Sequence, residues 1–256
     1  MAALIDHTDT TPDVVIPQYG RGRVLATWAA AALPMAALAW VVTPRLAHHL
    51  AGPSPLGKAL ILCLGAGLLW QLVLVLALVA REQGTLRWPV LRRALWLQAP
   101  NRDGRRGGRL WWVLLPAILL FASEEAIPTL PHPAGHDFGT LLDSTAGQAL
   151  LQGGLFWPIA VLTLMLLNTM FGEELLFRGL LLPRMSDAFG RADWLVNGLL
   201  FAGYHLHQPW TMPAALVDTF ALAWPSRRYR SALMGIIVHS SQTVFLGTAV
   251  IVVASR

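Results

Sequence analysis

The sequence predicts an all-α fold, a polytopic bundle of membrane-spanning helices, and three observations carry that reading. Of 256 residues, 55% are hydrophobic. Only 13% are charged, roughly half the share usual in a soluble domain. The net charge of +5 is nearly all arginine, since Lys58 is the single lysine, and it gathers between long apolar runs. Such charge reads as a topology signal rather than a nucleic-acid surface, so no nucleic-acid partner is expected.

A bilayer core asks for about 20 apolar residues per helix. About seven spans meet or approach this (six to eight): 24–42, 59–80, 110–127, 149–182, 193–208, 212–224 and 231–253. The N-terminal stretch 1–23 is polar and lacks the basic-then-apolar order of a signal peptide, so the first span is expected to be its own insertion signal. Cys63 lies inside the run of the second span and reads as a small apolar filler. The fourth run is long enough to leave the bilayer or to break near "GGLFWP". The sixth is short and reads as tilted or re-entrant.

The loops support the count. Arg21 and Arg23 precede the first span, eight arginines crowd the loop 81–109, Arg184 and Arg191 follow the fourth span, and Arg227, Arg228 and Arg230 precede the last. The stretches 128–148 and 206–211 hold no lysine or arginine. This alternation places the N-terminus in the cytoplasm. The loop 81–109, with "TLRWPVLRRALWLQAP", reads as a basic topology anchor or a helix lying on the membrane surface.

A charge at bilayer depth costs roughly 2.5–3.5 kcal/mol on insertion scales. The late spans nevertheless carry Glu173, Glu174, Arg178, His205, His207, Asp218 and His239. Successive helical residues turn by about 100°. Glu174 and Arg178 therefore share a face and can pair, acid toward the N-terminus. Glu173 points about a quarter-turn away and is left for a water, a metal or a substrate. Asp218 reads as the partner of a nearby arginine, and the second acid pair, Glu124–Glu125, as an outward segment-end cap. A carboxylate, two imidazoles, an arginine and the hydroxyl of Thr243 suffice for hydrolysis: a base takes a proton from water and donors hold the developing oxyanion. The sequence has no H-E-x-x-H, no G-x-S-x-G and no phosphate-binding G-K-[ST] loop.

"EELLFR" has the form E-E-x-x-x-R, "FAGYH" the form F-x-x-x-H, and "HSSQT" stands where H-x-x-x-N would complete the set. In this order, over about 168–245, the chain resembles the CPBP family of intramembrane endopeptidases, which includes type II CAAX prenyl endopeptidases and bacteriocin-processing or self-immunity relatives. The resemblance implies Glu173 as the base that activates water with His205 assisting, Glu174 and Arg178 as a supporting pair, and His239 as an oxyanion donor. Thr243 occupies the place of the family's asparagine, offering one hydroxyl in place of an amide NH₂.

The family is often called metalloprotease. Glu173, His205 and His239 are the candidate ligands of a divalent metal such as zinc. The same three side chains can activate water directly, and this is preferred because Arg178 already supplies positive charge. The cofactor stays open at this stage. The expected partners are the lipid bilayer and a membrane-embedded or lipidated peptide or protein substrate. The arginine-rich, lysine-poor composition points to a bacterial cytoplasmic membrane. The expected division is a polar cytoplasmic tail (1–23), N-terminal membrane helices with the basic loop (24–148) and CPBP-like catalytic helices (149–256). Two other uses of the same polar centre are a non-catalytic scaffold or self-immunity factor and, third, a proton-coupled transporter.

Overall fold

The computed structural model describes residues 14–256. The expected N-terminal tail lies largely outside these described residues. Its visible end runs without regular structure to Gly20 and buries Tyr19 completely. Four helices are long and apolar enough to cross a membrane: α1 (Arg21–Ala47), α2 (Pro55–Gln83), α4 (Phe156–Arg184) and α6 (Ala232–Ala254). Only 28–39% of their most apolar windows is buried inside the protein. The remaining apolar surface, including Leu33, Val73, Ile159 and Phe245, needs an apolar solvent. The chain is an integral membrane protein.

The other three candidate spans are helical but shorter or interrupted. Helix α3 (Leu114–Ala122) is flanked by 3₁₀ turns, Gly108–Val113 and Ser123–Ala126. Helix α5 (Asp193–Tyr204) continues as a 3₁₀ turn, His205–His207. The stretch near 212–224 is a one-turn helix, Met212–Ala215, then the wider turn Thr219–Ala223, with Asp218 between them. The long fourth run breaks where its sequence predicts. The short helix Thr145–Gln152 ends at Gly153, and Gly154 takes φ +130, open to glycine and rarely to other residues, before α4 begins.

The loop 81–109 is not a surface appendage. Its short helix, Trp88–Ala94, drives Val90, Ala94 and Leu95 into the core, and its only strands form a two-residue hairpin, Asn101–Arg102 with Arg105–Arg106. Ser231 Oγ donates to Gln98 O at 2.5 Å and ties the loop to the start of α6. Below the core, Arg184 is fully buried and meets Glu82 at 2.8 Å, while Arg23 reaches the other oxygen of Glu82 at 2.8 Å. Tyr19 hydroxyl also donates to Glu82. Two arginines that read as topology markers thus clamp α1, α2 and α4 together.

One main core holds Met35, Leu68, Phe177, Phe201 and Tyr204, drawn from α1, α2, α4 and α5. Helix α4 departs from regular α geometry over Leu167–Gly172 and Leu175–Leu181, where its turns widen to π-helix. Such turns often sit at functional sites because they redirect side chains. Glu173 and Glu174 lie between these two stretches.

Candidate active site

A cavity of about 390 Å³ opens among α2, α3, α4, α5 and α6. Glu173, His205 and His239 all line it, although they come from three elements distant in the chain. Thr243 lines it too. Glu174 and Arg178 stand behind the wall, both fully buried. The structure therefore brings together the whole set singled out from sequence, and it separates the two glutamates as the helical turn requires.

The hydrogen bonds fix how each group faces the cavity. Arg178 Nη1 approaches Glu174 Oε1 at 3.3 Å, four residues apart on α4. The same Glu174 oxygen meets His239 Nδ1 at 3.1 Å. A carboxylate only accepts, so His239 carries a proton on Nδ1 and turns Nε2 to the cavity. His205 Nδ1 donates to the Phe201 carbonyl at 3.0 Å. The carbonyl leaves no choice of tautomer: the Nε2 lone pair of a neutral His205 is free to accept. Phe201 packs between these groups. Arg178 Cζ lies 4.1 Å from its ring centre, and His205 and His239 meet its ring edge-on.

Glu173 is buried to 2% exposure, and its Oε2 has no hydrogen-bond partner. Gln71 Nε2 donates to the Tyr204 hydroxyl at 2.6 Å, and that hydroxyl in turn interacts with Glu173. Sequence reasoning missed both supporters. Gln71 had a signal, as a lone polar residue in "LLWQLVLVLALV"; Tyr204 had none beyond its place beside His205.

Thr243 does not aim a free proton at the cavity. Thr169 Oγ1 donates to the Met165 carbonyl at 3.1 Å. Its hydroxyl proton is then used, so Thr243 is the donor in their 3.0 Å contact. Gln242, about 100° round the helix, reaches the cavity with an amide.

Two expectations are corrected. Glu124 is not an outward cap: it lines the cavity with Asp218, and its Oε1 is buried without a hydrogen-bond partner. Asp218 feels Arg178 electrostatically but forms no ion pair with any arginine among the described residues. The reason is depth: Asp218 sits at the break between two short helical pieces that point it inward, away from the basic loops.

The donor chemistry of Glu173, His205 and His239 would suit zinc, but the geometry does not fit it. Among the described residues, no three His, Cys, Asp or Glu side chains converge closely enough to hold a metal ion.

A membrane bundle that lines a cavity with acids and imidazoles, with an ion-paired arginine behind its wall, defines an integral membrane protein with a chemically equipped centre. The family model of the Rce1-like type II CAAX prenyl endopeptidases matches residues 155–245. The matched residues, which resemble the CPBP/CAAX protease family, contain α4, α5 and most of α6. No curated protein and no solved structure matches the chain.

Proposed function

We propose that the protein is a glutamate-dependent intramembrane endopeptidase acting on a membrane-embedded or lipidated peptide or protein. One observation carries this: Glu173, His205 and His239 face a single cavity from three helices. A water between Glu173 and His205 meets two acceptors, the free Oε2 and the free Nε2. Glu173 takes one of its protons as the oxygen attacks the scissile carbonyl carbon. The carbonyl π electrons move to oxygen, and the oxyanion is held from His239 Nε2 when that ring carries both protons, backed by Glu174 and Arg178. Collapse breaks the C–N bond, and Glu173 returns the proton to the leaving amine. Water is activated directly, so chelators are expected to leave the rate unchanged and the purified protein to hold no stoichiometric zinc.

The same reading takes the chain as seven crossings with a cytoplasmic N-terminus, the shorter helices completing the count, and as a bacterial cytoplasmic-membrane protein. Residues 149–256 form the catalytic unit on a platform of the preceding helices, with residues 1–23 a cytoplasmic tail.

The decisive experiment incubates the purified wild type and Glu173→Ala with candidate membrane peptides. Cleavage by wild type should fall by about 10²–10⁴-fold in the variant. Cleavage that survives the substitution removes Glu173 as the base. A second reading, a scaffold that binds without cutting, is favoured by the engagement of the Thr243 proton on Thr169. Binding by wild type without product would establish it.

A further inference from the structure

The mechanism above leaves one wall of the cavity unused. Glu124 closes the α3 end, and Asp218 projects from the break before Thr219–Ala223. Both line the same cavity, and each carboxyl acts electrostatically on the other. Carboxylate oxygens only accept hydrogen bonds, so the pair wants donors. Asp218 Oδ1 and Glu124 Oε1 are buried atoms without any partner, and Asp218 as a whole is 4% exposed.

Four acids, Glu124, Glu125, Glu173 and Asp218, line the cavity beside three imidazoles, and among the described residues no lysine or arginine does. The nearest buried cation, Arg178, already faces Glu174. Desolvated carboxyl groups need a counter-charge or N–H donors. A bare metal ion does not fit, because no three-ligand cluster exists among the described residues. An organic cation with several N–H groups needs only hydrogen-bonding reach of two carboxyls, which this pair provides.

We propose that Glu124 and Asp218 form a subsite that receives a basic side chain, lysine or arginine, of the polypeptide in the cavity. The proposal deepens the endopeptidase reading and rests on it only in taking the cavity as the place where the substrate chain lies. A cation entering the site gives the unpartnered carboxyl oxygens the N–H donors and the counter-charge they lack. The subsite then selects segments with one basic residue buried in an apolar stretch, a residue that otherwise carries a large insertion cost in lipid.

The test uses the full chain in detergent micelles with n-butylguanidinium and n-butylammonium as probes and n-butanol as the neutral match, read by ligand-observed saturation-transfer NMR. Both cations should bind and the alcohol should not. Asp218→Asn and Glu124→Gln should each weaken the cations by about tenfold or more. The exposed Asp143→Asn should leave them unchanged. Thermal unfolding of each variant confirms folding, and the partly exposed Glu124 carries the test if Asp218→Asn does not fold. Equal binding of alcohol and cation, or cation binding that survives both substitutions, overturns the subsite. Membrane peptides differing only in lysine against norleucine complete the experiment. If wild type binds the cations but cleaves neither peptide, the endopeptidase reading fails and the subsite stands. If both are cleaved at equal rates, the subsite fails and the endopeptidase stands.

Discussion

Glu174 contacts two partners and so does two jobs. Its Oε1 faces both Arg178 and His239 Nδ1, so it fixes the imidazole by means of an acid that never enters the cavity. Removing one member of a fully buried ion pair strands the other charge, a loss of about 3–5 kcal/mol. Arg178→Leu is therefore expected to lower the unfolding temperature sharply in micelles. Glu174→Gln strands Arg178 in the same way and should also lose stability, and the protein that stays folded should show a reduced kcat, because the amide can no longer stabilise a doubly protonated His239. An unchanged kcat in folded Glu174→Gln would remove the charge-stabilising role, since the amide oxygen can still accept from His239 Nδ1. Thr243→Asn tests the oxyanion wall: the amide offers two donors, one for Thr169 and one for substrate, so turnover should rise. At this scale the chemistry was legible from residue type and helical spacing. What was hidden were groups whose role depends on depth, Glu124 and Gln71 above all, since neither the end of an apolar run nor a lone polar residue tells which wall it meets.

At the scale of elements, close approach decides the site. A Cβ on Gly198 would sit 2.6 Å from the Thr219 Cα, so only glycine lets α5 rest against the wide turn that follows Asp218. Gly235 plays the same part where α6 crosses Glu174 and Arg178. Overpacking of this kind costs about 1–3 kcal/mol. Gly198→Ala is expected to reduce thermal stability by that order and to impair substrate turnover together with it. A stability equal to wild type would show that the crossing relaxes freely. The outer rim has its own anchor. Asp137 accepts from Thr140 N at 2.7 Å and caps the helix Phe138–Asp143, with His132 Nδ1 3.9 Å away. Burial pushes its carboxyl up, but the Thr140 hydrogen bonds and His132 outweigh this and hold it below the usual carboxylate value. A depressed folded value contributes stability above the unfolded pKa of about 3.9 that is lost as pH falls through the folded one. Amide protection over 138–143, corrected for the intrinsic exchange rate, should therefore fall below about pH 4, and Asp137→Asn should abolish that dependence. Helix starts and the break at Gly153–Gly154 were readable from sequence. The widened turns of α4 were not, because a π-turn changes hydrogen-bond register without changing composition.

For the whole molecule, orientation is the open physical variable that a labelling experiment reads. The arginine-rich loop 81–109 and the basic-poor loop 128–148 should lie on opposite sides of the membrane. In intact cells an impermeant thiol reagent should label Ala134→Cys and spare Arg105→Cys, both exposed positions. The buried native Cys63 should stay dark. Labelling of both or of the reverse pair would end the proposed topology. The basic loops also showed a second role that no loop count contains, since Arg23 and Arg184 converge on Glu82 beneath the core.

Hydropathy and charge order along the chain were enough to specify a helical membrane protein and the acids, imidazoles and arginine at its centre. Both follow from local costs, apolar area matched to lipid and charges too expensive to keep without use. Convergence is different in kind. That Glu173, His205 and His239 share one cavity, that Glu174 steers an imidazole 65 residues away, and that Glu124 and Asp218 line that same cavity all depend on helix crossings. Those crossings are set by packing between distant segments, and no local run of residues carries that information.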